Sequence, residues 1–103
     1  MFKIVFFVPV ESKEAVKSAV FDAGAGYIGN YDQCCWEVEG FGQFRPLKGA
    51  EPFKGELNKV EKVKEYRIEL VCKEALLQGV IAALKQAHPY EEPAFEVVSL
   101  VTI

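Results

Sequence analysis

The spacing of apolar residues changes period along this chain, and the order of those changes restricts the folds open to it. From Phe2 to Pro9, Phe2, Ile4, Phe6 and Val8 alternate with Lys3, Val5 and Phe7, the two-residue period of a strand. Pro9 ends pairing there. Ser12 is placed to cap a helix, Glu14 suits its first turn, and Ala15, Val16, Ala19, Val20 and Ala23 recur at helical spacing until Gly24 supplies a left-handed stop. A weaker alternation follows from about Gln33 to Gly40, with Cys34, Trp36 and Val38 expected on the core side and Cys35, Glu37 and Glu39 outside. Lys64 to Val71 alternates most cleanly, Tyr66, Ile68 and Leu70 inward and Glu65, Arg67 and Glu69 outward. Leu76, Leu77, Val80, Ile81 and Leu84 then line one face of a second helix, predicted from about Lys73 to Ala87, which Pro89 terminates. Ala94 to Ile103 reads as a closing β-branched strand.

The resulting order, β-α-β-β-α-β, is the ferredoxin-like α+β arrangement, in which both helices cover one side of a four-stranded antiparallel sheet. The other side is left bare. On that side the pattern places Val5 and Phe7 beside alternate residues of 94–103, with Glu37, Glu39, Glu65, Arg67 and Glu69 across the second and third strands. An apolar patch of this kind marks an interface, so self-association is expected, unless the long loop folds over it. At 103 residues with 50% hydrophobic content, one domain spanning 1–103 can bury a core without disulfides or a structural metal.

A formal charge of -3 argues against nucleic acid as a partner. No apolar run approaches the roughly 20 residues of a membrane-spanning helix, and the apolar start lacks a signal-peptide cleavage site, so a soluble cytoplasmic protein without membrane contact is expected. Cys34, Cys35 and Cys72 form an odd set, read as small apolar fillers in a reducing compartment.

Three segments could carry chemistry. Gly24-Ala25-Gly26-Tyr27-Ile28-Gly29 matches GxGxxG, yet it follows a helix and leads to a strand, the reverse of a dinucleotide site; the alternative is a turn with positive φ at its glycines. The connection from Gly40 to Gly55 is too long for an ordinary hairpin. There Arg45, Lys48 and Lys54 could meet an anion, while Phe41, Phe44 and Phe53 could anchor the loop on a neighbouring subunit. His88-Pro89-Tyr90-Glu91-Glu92-Pro93 sets the sole histidine beside a phenol and two carboxylates. It could serve as structure, with His88 capping the second helix, as a binding segment, or as a weak metal candidate at His88, although the ligand set expected of zinc is missing. No P-loop, GxSxG elbow or paired CxxC occurs, so no cofactor is implied and catalysis has little support.

Gly24 to Asp32, Gly40-Phe41-Gly42-Gln43-Phe44-Arg45-Pro46 and His88 to Pro93, in that order and spacing, resemble the insert domain of YqfO-type proteins. These are the Ngg-interacting-factor-three-like, GTP cyclohydrolase-like proteins. The resemblance implies a PII/CutA-like ferredoxin fold with a long β2–β3 connection, and a homotrimer. It also implies that the dinuclear metal centre of the longer proteins, and any cyclohydrolase activity, belongs to flanking domains for which this chain has no room. The expected function is a small oligomeric ligand-binding or regulatory module without its own catalytic metal, whose ligand contacts are His88, Tyr90, Glu91, Arg45, Phe44 and Gly42. The alternatives are an assembly module for a partner enzyme and a divalent-metal protein of CutA type.

Overall fold

The computed structural model describes all 103 residues. Strand β1, Phe2–Pro9, runs as the alternation predicts and passes through a short 3-10 turn into helix α1, Lys13–Asp22. Ser12 stands at the N-cap, but its side chain makes no capping hydrogen bond. Strands β2, Trp36–Phe44, and β3, Glu61–Cys72, form a long hairpin. A second 3-10 turn at Glu74–Leu76 precedes α2, Leu77–Ala87, so the expected helix starts four residues late. Strand β4 is Phe95–Ser99, shorter than the apolar run behind it, and Val101 and Ile103 beyond it are exposed.

The sheet order is β2-β3-β1-β4 with every neighbouring pair antiparallel, the ferredoxin-like topology. Ile4, Phe6 and Val8 of β1, Ile68 and Leu70 of β3, Val16 and Val20 of α1, and Val80 and Leu84 of α2 form one core between sheet and helices. Fully burying each such side chain contributes about 1.5–3 kcal/mol. Because β2 and β3 continue past the helices, the molecule is elongated, 46 × 24 × 24 Å.

Three expectations need correction. Strand β2 begins at Trp36, because Cys34 N–H donates to the Gly26 carbonyl and Gln33 has a positive φ; it then continues through Gly40 and Gly42, since β3 pairs with it as far as Phe44 opposite Glu61. Cys34 and Cys35 therefore precede the strand. The facing of β2 is also the reverse of that expected. Trp36 pairs with Glu69 and Val38 with Arg67, which puts Trp36 and Val38 on the uncovered side, 59% and 43% exposed. Glu37 turns to the helical side, where its carboxylate bridges Lys13 (2.5 Å) and Lys17 (2.7 Å) of α1. An edge strand lying beyond the helices has a polar "inner" face, which alternation alone does not reveal. Lastly, Val5 is buried rather than exposed, and Phe7 is half-buried with the Arg67 guanidinium 5.7 Å from its ring centre. The exposed apolar surface on this side comes from Trp36, Val38 and, on β4, Val98.

The glycine-rich segment is a turn, as its position between helix and strand predicts: Gly24, Gly26 and Gly29 all have positive φ. Burial pushes the Cys35 and Cys72 thiols up, away from the thiolate form that reactive cysteines need. All three cysteines are free. No helix is long and apolar enough to cross a membrane.

Candidate functional site at the end of the uncovered face

Strand β4 pairs with β1 only as far as Phe6 opposite Phe95, so the last part of β1 has a free edge. The segment 88–93 crosses the sheet there. Helix α2 closes with the His88 N–H on the Leu84 carbonyl (2.9 Å), and His88 then turns extended, as a residue before proline must. Its Nε2 lies 2.6 Å from the Phe7 carbonyl oxygen, while its Nδ1 accepts the Tyr90 N–H at 3.1 Å. An amide N–H can only donate and a carbonyl can only accept, so the ring is neutral with its proton on Nε2. Burial holds its pKa below the ordinary 6.5, against the pull of the Phe7 carbonyl and Glu65. Both nitrogens are occupied in joining α2 to β1.

That attachment makes stability depend on pH. As pH falls through 6.5, the unfolded chain takes up a proton that the folded ring resists, so the contribution is whole above 6.5 and drains away below it. Urea midpoints measured at about pH 7.5 and about pH 5.5 should fall further for the wild type than for His88→Gln, whose side chain titrates nowhere in that range. Parallel profiles for the two proteins would remove this role from His88.

Past Pro89 the chain emerges on the uncovered face, where the Tyr90 hydroxyl donates to Glu65 Oε2 at 2.6 Å. Burial and this bond push the Tyr90 pKa well up, so the hydroxyl remains a donor. The Tyr90 ring meets Phe44 edge-on at 5.9 Å and Phe53 at 6.3 Å. Glu65 is only 8% exposed. Its space is provided by Gly42 on the adjoining strand: a Cβ there would sit 2.1 Å from Glu65 Oε1. The loop between β2 and β3 folds back over this end of the face, fastened where the Glu51 N–H donates to Glu91 Oε1 at 3.0 Å. Between loop and sheet lies a cavity of about 280 Å³ with Phe7, Phe44, Phe53, Tyr90 and Glu65 among its walls. That volume is near the lower end of the ~300–1,000 Å³ usual for small-molecule sites.

Of the six residues nominated from sequence, the structure brings five together: Tyr90, Glu91 and Phe44 line the cavity, Gly42 accommodates Glu65, and His88 anchors Tyr90 from behind. Arg45 is not among them; it is exposed and makes no hydrogen bond or ion pair, and Lys54 is tied to Glu11. Phe41 is 75% exposed and anchors nothing in this chain. Sequence reasoning missed Glu65, which alternation assigns to solvent like its neighbours Arg67 and Glu69. The available signal was Gly40 and Gly42, two glycines on the same face of the partner strand, leaving a vacancy for a carboxylate. No group of three or more His, Cys, Asp or Glu side chains is arranged to hold a metal ion.

No family model matches the chain. Among curated proteins, it is 50% identical over 99 residues, 96% of its own length, to the GTP cyclohydrolase 1 type 2 homolog of Mycobacterium tuberculosis, and 44% identical over 95 residues to that of Bacillus subtilis. Among solved structures, the Bacillus cereus protein related to NIF3 superposes with a TM-score of 0.83 at 44% identity, covering 98% of this chain. The chain is homologous to one segment of these proteins. It spans about a quarter of their length, 26% in each case. This is the relationship that the glycine turn, the Gly40–Pro46 run and His88–Pro93 imply. CutA1 from Pyrococcus horikoshii matches across the whole chain with a TM-score of 0.70 at 21% identity, which establishes a shared CutA-like fold.

Proposed function

We propose that the NIF3-related segment is a small ligand-binding or regulatory module that works as a cytoplasmic homo-oligomer, three copies favoured, without a catalytic metal centre of its own. The observation that carries the reading is the cavity between Tyr90 and the β2–β3 loop. Of its aromatic walls Tyr90 is held by hydrogen bonds, to the His88 ring and to Glu65 of the sheet, and that buried carboxylate forms part of the floor. Aromatic walls with a few placed polar groups are the usual make-up of a small-molecule site. The cyclohydrolase label in the relatives' names describes proteins of which this chain matches a quarter, and the reading does not depend on it.

Ligands selective for the folded state raise its stability by mass action, by about 2.7 kcal/mol at a hundredfold excess over Kd. A thermal-shift screen of nucleotides, divalent metals, organic acids and amines should therefore give hits whose shift disappears in Ala50→Trp, which fills the cavity. Hits that survive this change lie elsewhere on the molecule. A screen without hits would sink the ligand-binding reading.

A second reading, an assembly module for a partner enzyme, is favoured by the exposed Trp36, Val38 and Val98 on the uncovered face and by the unpaired outer edge of β2. The CutA-type metal reading has no such support, since the His88 nitrogens are already engaged.

A further inference from the structure

Two of the carboxylates of this chain that are drawn toward its interior are matched by cations. Glu37 has two lysines and Glu69 has Lys3 and Arg67. Glu65, the most deeply buried acidic side chain, has none. It takes part in no ion pair, and its one hydrogen bond, from Tyr90, occupies Oε2. Oε1 accepts no hydrogen bond from the chain and keeps its remaining access to solvent at the cavity wall. A charge withdrawn from water is ordinarily matched by an opposite charge or a metal.

The remaining charged residues around the cavity are Glu91 and Glu92; no lysine, arginine or histidine lines it. The two basic side chains at its margin are committed, Lys54 to Glu11 and Arg67 to Glu69. The other walls are mainly rings and small apolar side chains, and the faces of Phe and Tyr rings attract cations. An anionic ligand would meet three carboxylates and no counter-charge. A neutral apolar ligand would leave Glu65 as it is.

We propose that this cavity takes a small organic cation with an apolar body, an alkyl- or arylammonium, whose charge sits against Glu65 Oε1 while its body lies among Phe7, Phe44, Phe53 and Tyr90. The inference rests on the ligand-binding reading above and adds the chemical class. It reverses the expectation that basic residues of the β2–β3 loop would receive an anion there: Arg45 and Lys48 are exposed and absent from the cavity wall.

Three probes of one shape and different charge decide it: benzylammonium, benzyl alcohol and benzoate. Each is titrated near neutral pH and low salt, with binding followed at the backbone amides of Gly42, Glu51 and Tyr90 by NMR. Benzylammonium should bind at least tenfold more tightly than benzyl alcohol, and benzoate most weakly. Glu65→Gln should bring benzylammonium down to the level of benzyl alcohol, whereas Glu69→Gln, which removes the same charge from the same strand outside the cavity, should keep the tenfold preference. The wild-type ranking stands by itself should the Glu65 variant fold poorly. If benzyl alcohol or benzoate perturbs these amides at equal or lower concentration, the cation assignment is wrong and the ligand site remains. If no probe perturbs them, both are overturned.

Discussion

Gly26→Ala is expected to cost about 2–4 kcal/mol of folding stability, through backbone strain and overpacking together. Gly26 has φ +87°, where a side chain is strained in any surroundings. A Cβ would also lie 2.7 Å from the Phe21 ring and 3.1 Å from the Cys34 carbonyl oxygen. Neither neighbour can easily withdraw. Phe21 packs against the core, and the Gly26 backbone is held at both ends, its N–H on the Val71 carbonyl and its C=O accepting from the Cys34 N–H, each at 2.8 Å. Gly29, three residues on, is the internal control: its φ is also positive, +56°, but nothing lies within 4 Å of its missing Cβ. Gly29→Ala should cost only about 1 kcal/mol, the strain alone. Urea unfolding of the two variants separates the effects. Equal midpoints would mean that the space around Gly26 is not tight.

The second large effect concerns assembly. Trp36→Glu combined with Val38→Lys should convert the proposed oligomer to single chains, read as a fall in solution mass by light scattering to that of one chain. The two side chains are the exposed apolar ones on the uncovered face of β2, and a nine-residue edge strand with no proline is a pairing surface that solitary proteins ordinarily protect. Charges placed there would have to be desolvated in any interface. The helical core lies on the other side of the sheet, so the separated chains should keep their far-ultraviolet circular dichroism. A wild type already of one-chain mass across micromolar concentrations would end the oligomer proposal.

The fold was legible because each strand and helix within the core announces itself locally. Ile4, Phe6 and Val8 alternate, Val80 and Leu84 fall one helical turn apart, and Pro89 must end what precedes it. The errors cluster at β2, where that logic weakens. An edge strand that outruns its helices has little core to face, so Trp36 on the open side and Glu37 beneath α1 reverse the usual assignment of apolar to inside. The candidate site was legible in its backbone-determined parts, since Pro89 and Pro93 flank Tyr90, Glu91 and Glu92, and Pro89 holds His88 extended. Its buried carboxylate was not. Whether Glu65 meets water depends on how the loop between residues 45 and 60 folds back and on a tyrosine 25 positions away, and the alternation around residue 65 reports neither.

Crossing the sheet at the free edge of β1 gives the two walls of the cavity different footings. One wall is bolted to the framework: Tyr90 hangs on the His88 ring, which hangs on β1 itself. The other, the loop that carries Phe53, is held through side chains alone: the Glu51 N–H on Glu91, Lys54 on Glu11, and Phe53 against Tyr90. A change in the length or sequence of the loop can therefore be absorbed without moving Tyr90 or Glu65, so this end of the open face can be reshaped while its footing on the sheet stays where it is.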